Sequence, residues 1–204
     1  MKFETPYFHI FKQGDASLHP LLLLHGTGGD ETSLLEIATA VSPNRSIISV
    51  RGLVNENGNL RFFRRFAEGH LDEDDVRLRG GELNSFVSSA MAAYDVKVPI
   101  ALGYSNGANV ALAMMFMQPA ILSGAVLLRS MAPFKQMPKT DLGLKQILLL
   151  NGTQDQMIPV AATNQLIDTL KNSNAKLTSE IIAAGHGLTQ TDITHTTNFL
   201  KEQN

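Results

Sequence analysis

The sequence predicts an α/β fold, with a mostly parallel central sheet and helices on both faces. Short apolar runs alternate with longer segments of helical periodicity along the chain, the pattern left by parallel strands joined through crossover helices. Hydrophobic residues make up 44% and charged residues 18% of the 204 residues, the balance of a globular chain that can bury a core. That length suits one compact domain, 1–204, with no large cap domain.

In order along the chain, strands are expected at 8–12, 21–24, 47–51, 99–102, 125–128, 147–151 and 177–183. Each is short, apolar and closed by a turn residue or a charge. Helices are expected at 33–40, 74–94, 106–117, 160–172 and 191–201, several opening on acidic residues that complement the helix dipole. Pro43, Pro99, Pro119, Pro133 and Pro159 fall between these segments, where a missing amide proton does no harm. The segment 52–81 is too long for an ordinary strand-to-helix connection and is rich in Arg, Phe and acidic residues.

Charge and composition narrow the partners. A formal net charge of -2 offers no general attraction for nucleic acid or anionic membranes, so a small-molecule ligand is expected instead. The chain contains no cysteine, which excludes a thiol nucleophile, a thiolate metal site and a disulfide framework. The amino-terminal segment 1–11 carries Lys2, Glu4 and His9 and lacks the apolar core of a signal peptide, so a cytoplasmic location is the expectation. No apolar run is long enough to cross a bilayer.

The nucleophile is legible in residues 99–113. An apolar strand runs into Gly103-Tyr104-Ser105-Asn106-Gly107 and then into a helix of small and apolar residues. This G-x-S-x-G pattern, in strand-turn-helix context, suits a serine held on a sharp turn, because side chains at the glycine positions would collide with neighbouring backbone. The competing role for Ser105 is a plain helix cap.

A serine hydroxyl is a poor nucleophile at neutral pH and needs an imidazole oriented by a carboxylate. Strand 147–151 leads into Gly152-Thr-Gln-Asp155, and strand 177–183 leads into Gly185-His186-Gly187. Both candidates therefore lie beyond the carboxyl ends of strands, the edge where open α/β sheets gather ligand chemistry. Taken singly, Asp155 could be a turn acid capping the next helix and His186 a turn histidine. Their chain order, Ser105, Asp155, His186, is the order of the α/β-hydrolase fold.

Strand 21–24 runs into His25-Gly26-Thr27-Gly28-Gly29, a loop able to turn backbone amides toward a developing oxyanion. Thr27 and Asn106 are the candidate oxyanion donors, through their backbone amides, with His25 and Gly26 shaping the turn. A nucleotide site is disfavoured because the loop lacks the lysine of a P-loop and the spaced glycines of a dinucleotide fingerprint. No His and carboxylate cluster has metal-ligand spacing, and Asp72 to Asp75 reads as a solvated helix start, so no metal is expected.

With 52–81 as a partial lid over the active edge, which is one reading, Arg51, Arg61, Phe62, Phe63, Arg64, Arg65 and Phe66 could all reach over that edge; Arg51, Phe62, Phe63 and Arg64 are the substrate-contacting candidates, with the two phenylalanines forming an acyl pocket. The other reading is a structural loop anchored by Phe burial, its arginines paired to Glu56, Glu68 or the acidic run.

With His25-Gly26, Gly103-Tyr-Ser105-Asn-Gly107, Asp155 and Gly185-His186 in view, the chain resembles the small phospholipase/carboxylesterase family of α/β-hydrolases over nearly its whole length. Arg51-Gly52, Glu56-Asn57-Gly58 and Arg61-Phe-Phe-Arg-Arg65 look like the loop of a bacterial branch that includes hydrolases linked to quinone stress. The resemblance implies Ser105 as nucleophile, Asp155 and His186 as its partners, the amides of Thr27 and Asn106 as oxyanion donors, short-chain ester substrates and no cofactor. Tyr104 and Asn106 depart from the commonest G-F-S-Q-G form, so acyl-chain preference does not transfer. The expected function is thus a serine carboxylesterase. A binding or sensing protein on the same fold, with slow or absent turnover, is the alternative. A homodimer is compatible with the sequence, although Met114 to Met117 read as core rather than interface.

Overall fold

The computed structural model describes residues 4–203, so part of the amino-terminal segment read above lies outside the described residues. Its core is a seven-stranded sheet of β1 (His9–Lys12), β2 (Leu21–Leu24), β3 (Ile47–Val50), β8 (Ile100–Tyr104), β9 (Gly124–Leu128), β10 (Gln146–Gly152) and β11 (Lys176–Ile182). Their spatial order is β1-β3-β2-β8-β9-β10-β11. Only β1 runs antiparallel to its neighbour; the remaining pairings are parallel.

Period-two alternation sorts the strand residues onto two cores. Leu22, Leu24, Ile48, Val50, Leu127 and Leu149 face one side, under α2 (Glu73–Tyr94), α3 (Asn106–Met117) and α4 (Val160–Asn172). Leu21, Leu23, Ile47, Leu102, Leu128 and Leu150 face the other, under α1 (Leu35–Val41) and α5 (Gln190–Lys201). Central strands such as β2 are therefore apolar at every position, because both their faces are covered. Each such leucine contributes roughly 1.5–3 kcal/mol by leaving water. The edge strand β11 alternates exposed and half-buried positions instead. Met114, Met115 and Phe116 are buried in this core, while Met117 at the end of α3 is 37% exposed.

The largest departure from the sequence reading is 52–72. It forms two hairpins, β4 (Val54–Glu56) with β5 (Asn59–Arg61), and β6 (Arg65–Ala67) with β7 (His70–Leu71). Asn57-Gly58 supplies the first turn, both residues at positive φ, as a tight hairpin turn requires. These strands are two or three residues long, too short for alternation to reveal them. The acidic run does open α2, and Asp72 caps it by accepting from the Asp75 amide at 3.2 Å. Asp75, however, is not solvated: it is buried, accepts from the Arg64 amide at 2.7 Å and faces Arg79.

Candidate active site

Ser105 lies between β8 and α3 with φ 53° and ψ -116°, a conformation that costs about 1–3 kcal/mol and persists only where packing enforces it. The enforcement comes from close backbone approaches. A Cβ on Gly107 would lie 2.0 Å from the Leu24 carbonyl oxygen, and one on Gly103 would lie 2.7 Å from the Ala108 backbone. The Ser105 side chain makes no helix-capping bond. Its Oγ is 2.9 Å from His186 Nε2.

His186 Nδ1 is 2.8 Å from Asp155 Oδ2. A carboxylate only accepts, so Nδ1 carries the proton and Nε2 is free to accept from the serine hydroxyl. The Asp155 carboxylate is fully buried, and its other oxygen accepts from the amides of Met157 at 2.8 Å and Ile158 at 3.2 Å. The loops bearing Asp155 and His186 are joined directly: the Thr153 and Gln154 amides donate backbone bonds to the Ile182 and Ala184 carbonyls. Gly152 permits this closeness, since a Cβ there would lie 2.2 Å from the Ala184 carbonyl oxygen.

Sequence reasoning missed the residue that fixes the base loop. Arg129, just past β9, is wholly buried at φ 55°. Its guanidinium donates to the Gly185 and Gly187 carbonyls, each at 2.9 Å, on either side of His186. It also forms a bidentate pair with buried Asp192 at 2.7 and 2.8 Å. Asp192 in turn closes a capping box with Thr189 at the start of α5. The Thr189-x-x-Asp192 spacing was a readable helix-start signal, but nothing local marks Arg129 as its partner.

Thr27 and Asn106 line the cleft together with Ser105, and among the described residues neither backbone amide donates to a protein acceptor in the turns and caps. His25 is buried, with Nδ1 donating to the Gly26 carbonyl at 2.7 Å and Nε2 accepting from the Gly52 amide at 3.0 Å. Burial holds this imidazole below its ordinary pKa, opposed in part by the bond to Gly26. His25 therefore shapes the loop as a neutral ring.

The cleft at Ser105 has a volume of about 40 Å³ and is lined by Thr27, Arg61, Arg65, Leu71, Met157 and Ile158, among others. None of the four substrate-contacting candidates lines it. Phe62 and Phe63 are buried in the core and do not line the cleft. Arg51 pairs with Glu31 at 2.6 Å and lies over the Phe8 ring, and Arg64 pairs outward with Asp72 at 3.1 Å. Arg61 and Arg65 reach the cleft instead, sharing Glu56. The residue pattern R-F-F-R-R could not separate inward from outward arginines because the hairpins set their directions. A wider open groove of about 1070 Å³ adjoins the cleft at Gly69, Leu71 and Met131. Among the described residues, no cluster of His, Asp and Glu could hold a metal ion, and no helix is long and apolar enough to cross a membrane.

Comparison with known proteins agrees with the fold. The phospholipase/carboxylesterase family model matches residues 5–204. The chain is 35% identical over 196 residues to the putative hydrolase MhqD of Bacillus subtilis, covering 95% of this chain and 98% of that one. Among solved structures it is similar to the Bacillus cereus carboxylesterase, with 40% identity, a TM-score of 0.95 and coverage of 98% of this chain and 95% of the other. It is also similar to YahD, solved with malic acid, with 32% identity, a TM-score of 0.91 and coverage of 97% and 100%.

Proposed function

Because the chain belongs to the phospholipase/carboxylesterase family and has the α/β-hydrolase fold, we propose that it is a serine carboxylesterase acting on small, short-chain carboxylic esters through an acyl-enzyme on Ser105. The observation that carries this reading is the continuous chain Ser105 Oγ to His186 Nε2 to Asp155, at 2.9 and 2.8 Å.

In this reading His186 Nε2 takes the hydroxyl proton as Ser105 Oγ attacks the ester carbonyl. The negative charge on the tetrahedral intermediate falls to the amides of Thr27 and Asn106, each such donor being worth roughly 3 kcal/mol of transition-state stabilisation. Asp155, held by two amides, keeps the imidazole in the Nδ1–H tautomer and faces the imidazolium that forms. The proton returns to the departing alcohol, and a water activated by His186 then releases the acid. No cofactor or metal enters these steps. The cleft at Ser105, about 40 Å³, has room for only a few water molecules and so supports a small acyl group, while a longer chain would have to extend into the adjoining open groove.

The test is hydrolysis of p-nitrophenyl esters from acetate to palmitate by the natural chain and by Ser105→Ala. Turnover of the short esters that vanishes in the variant is expected. Retained hydrolysis in Ser105→Ala would falsify the assignment of the nucleophile.

A further inference from the structure

The two candidate oxyanion amides, one on the loop after β2 and one at the first residue of α3, are 79 residues apart in sequence, yet one short stretch of β5 and its exit grips both. The Arg61 Nη1 donates to the Thr27 hydroxyl at 2.8 Å. The next amide, that of Phe62, donates to Asn106 Oδ1 at 2.7 Å. One residue earlier, the Leu60 carbonyl accepts from the Gly28 amide at 2.9 Å. Three consecutive residues of the hairpin arm thus hold Thr27-Gly28 on one side and Asn106 on the other.

The chemistry of the two side chains suits such a grip. Arg61 is only 3% exposed, although burying a cation is costly. Its guanidinium is aimed by a bond from Nε to the Phe63 carbonyl at 3.1 Å, which leaves Nη1 directed at Thr27. Its nearest carboxylate contact, to Glu56, is a longer 3.4 Å, and Glu56 lies closer to Arg65. Charge pairing alone is therefore a poor reason to bury it. Asn106 is buried, and among the described residues its Nδ2 finds no partner. An orphaned buried donor is destabilising, so the side chain is retained for what its oxygen does, which is to accept from Phe62. The arm itself has a fixed footing: Gly52 bonds His25 Nε2, and a Cβ on Gly52 would lie 2.3 Å from the Arg61 carbonyl oxygen.

We infer that Leu60-Arg61-Phe62 is a brace that sets the spacing of the two oxyanion amides, with Arg61 and the Asn106 side chain as positioning residues. The inference rests on the esterase reading for its catalytic consequence, but the brace itself is a property of the fold. An amide misplaced by a fraction of an ångström binds the developing oxyanion less well while leaving substrate binding intact. The loss then falls on kcat and not on KM.

Two measurements test it. In p-nitrophenyl acetate hydrolysis, Arg61→Met and Thr27→Val should each lower kcat about 10- to 100-fold with KM within twofold, an estimate scaled from the cost of losing one oxyanion donor. The double variant should be no slower than the worse single variant, because both remove the same contact. Losses that multiply, or that fall on KM, overturn the brace. Hydrogen–deuterium exchange reads it without any turnover: Arg61→Met should accelerate exchange in segment 25–30 and leave segment 184–190 at its natural rate. Unchanged exchange in 25–30 overturns the brace even for a chain that hydrolyses no ester. Loss of the esterase reading has a separate mark, the absence of Ser105-dependent turnover in the unmodified chain.

Discussion

The two halves of the candidate active site are held by different means. On the base side, Arg129 and Asp192 are both wholly buried, and their bidentate pair locks the carbonyls flanking His186. On the oxyanion side, Thr27 is exposed, and the loop is held from outside by a hairpin arm through single hydrogen bonds. Each half therefore draws its rigidity from a different source. The base loop shares in the global stability of the sheet and α5, whereas the oxyanion loop depends on a local contact that could loosen without unfolding the core.

The largest effect expected bears on the base side. Asp155→Asn should cut kcat by about 10,000-fold, the scale seen when a triad carboxylate can no longer hold the imidazole tautomer. Steady-state kinetics on p-nitrophenyl acetate measures it, and a loss under tenfold would remove Asp155 from the triad.

Next in size is a stability contrast between the two arginines. Arg129→Met strands the Asp192 charge in the core and should cost about 3–5 kcal/mol in urea unfolding, while the Arg129→Met, Asp192→Leu double variant should recover much of that loss. Arg61→Met, at the edge of the cleft, should cost only about 1 kcal/mol, in the ordinary range for a lost polar contact. Equal costs at the two sites would erase the distinction drawn between core-held and arm-held halves.

The smallest expected effect concerns pH. Burial keeps His25 neutral in the folded chain, below its ordinary value of 6.5. The unfolded chain therefore binds a proton that the folded chain refuses as pH falls below 6.5, and stability declines from there toward the lowered folded value. Above 6.5 the contribution is fully present. His25→Gln, which keeps an acceptor for the Gly52 amide, should flatten the stability slope between pH 7.5 and 5.5. A slope equal to that of the natural chain would move the acid sensitivity to another group.

Much of the sheet was legible because its determinants are local. Strand β2 and helices α3 and α4 lie where the apolar runs and Gly or Pro stops put them, and other elements differ by a residue or two at their ends. The short hairpins of 52–72 were not legible, since two or three residues cannot display a period. Phe62 and Phe63 illustrate the limit: an aromatic pair in a charged loop fits a pocket or an anchor equally well, and only the packing of the arm against the core buries both.

Local sequence sufficed for the parallel sheet, the strained turn at Ser105 and the order of the candidate nucleophile, acid and base, because each depends on residues within one strand and its exit. Tertiary structure alone decided that Arg129 clamps the His186 loop across 58 residues and that Arg61 reaches Thr27 across 34. Those bonds join loops that meet only once the sheet has formed, and no local pattern of charge or hydrophobicity encodes which arginine will turn inward.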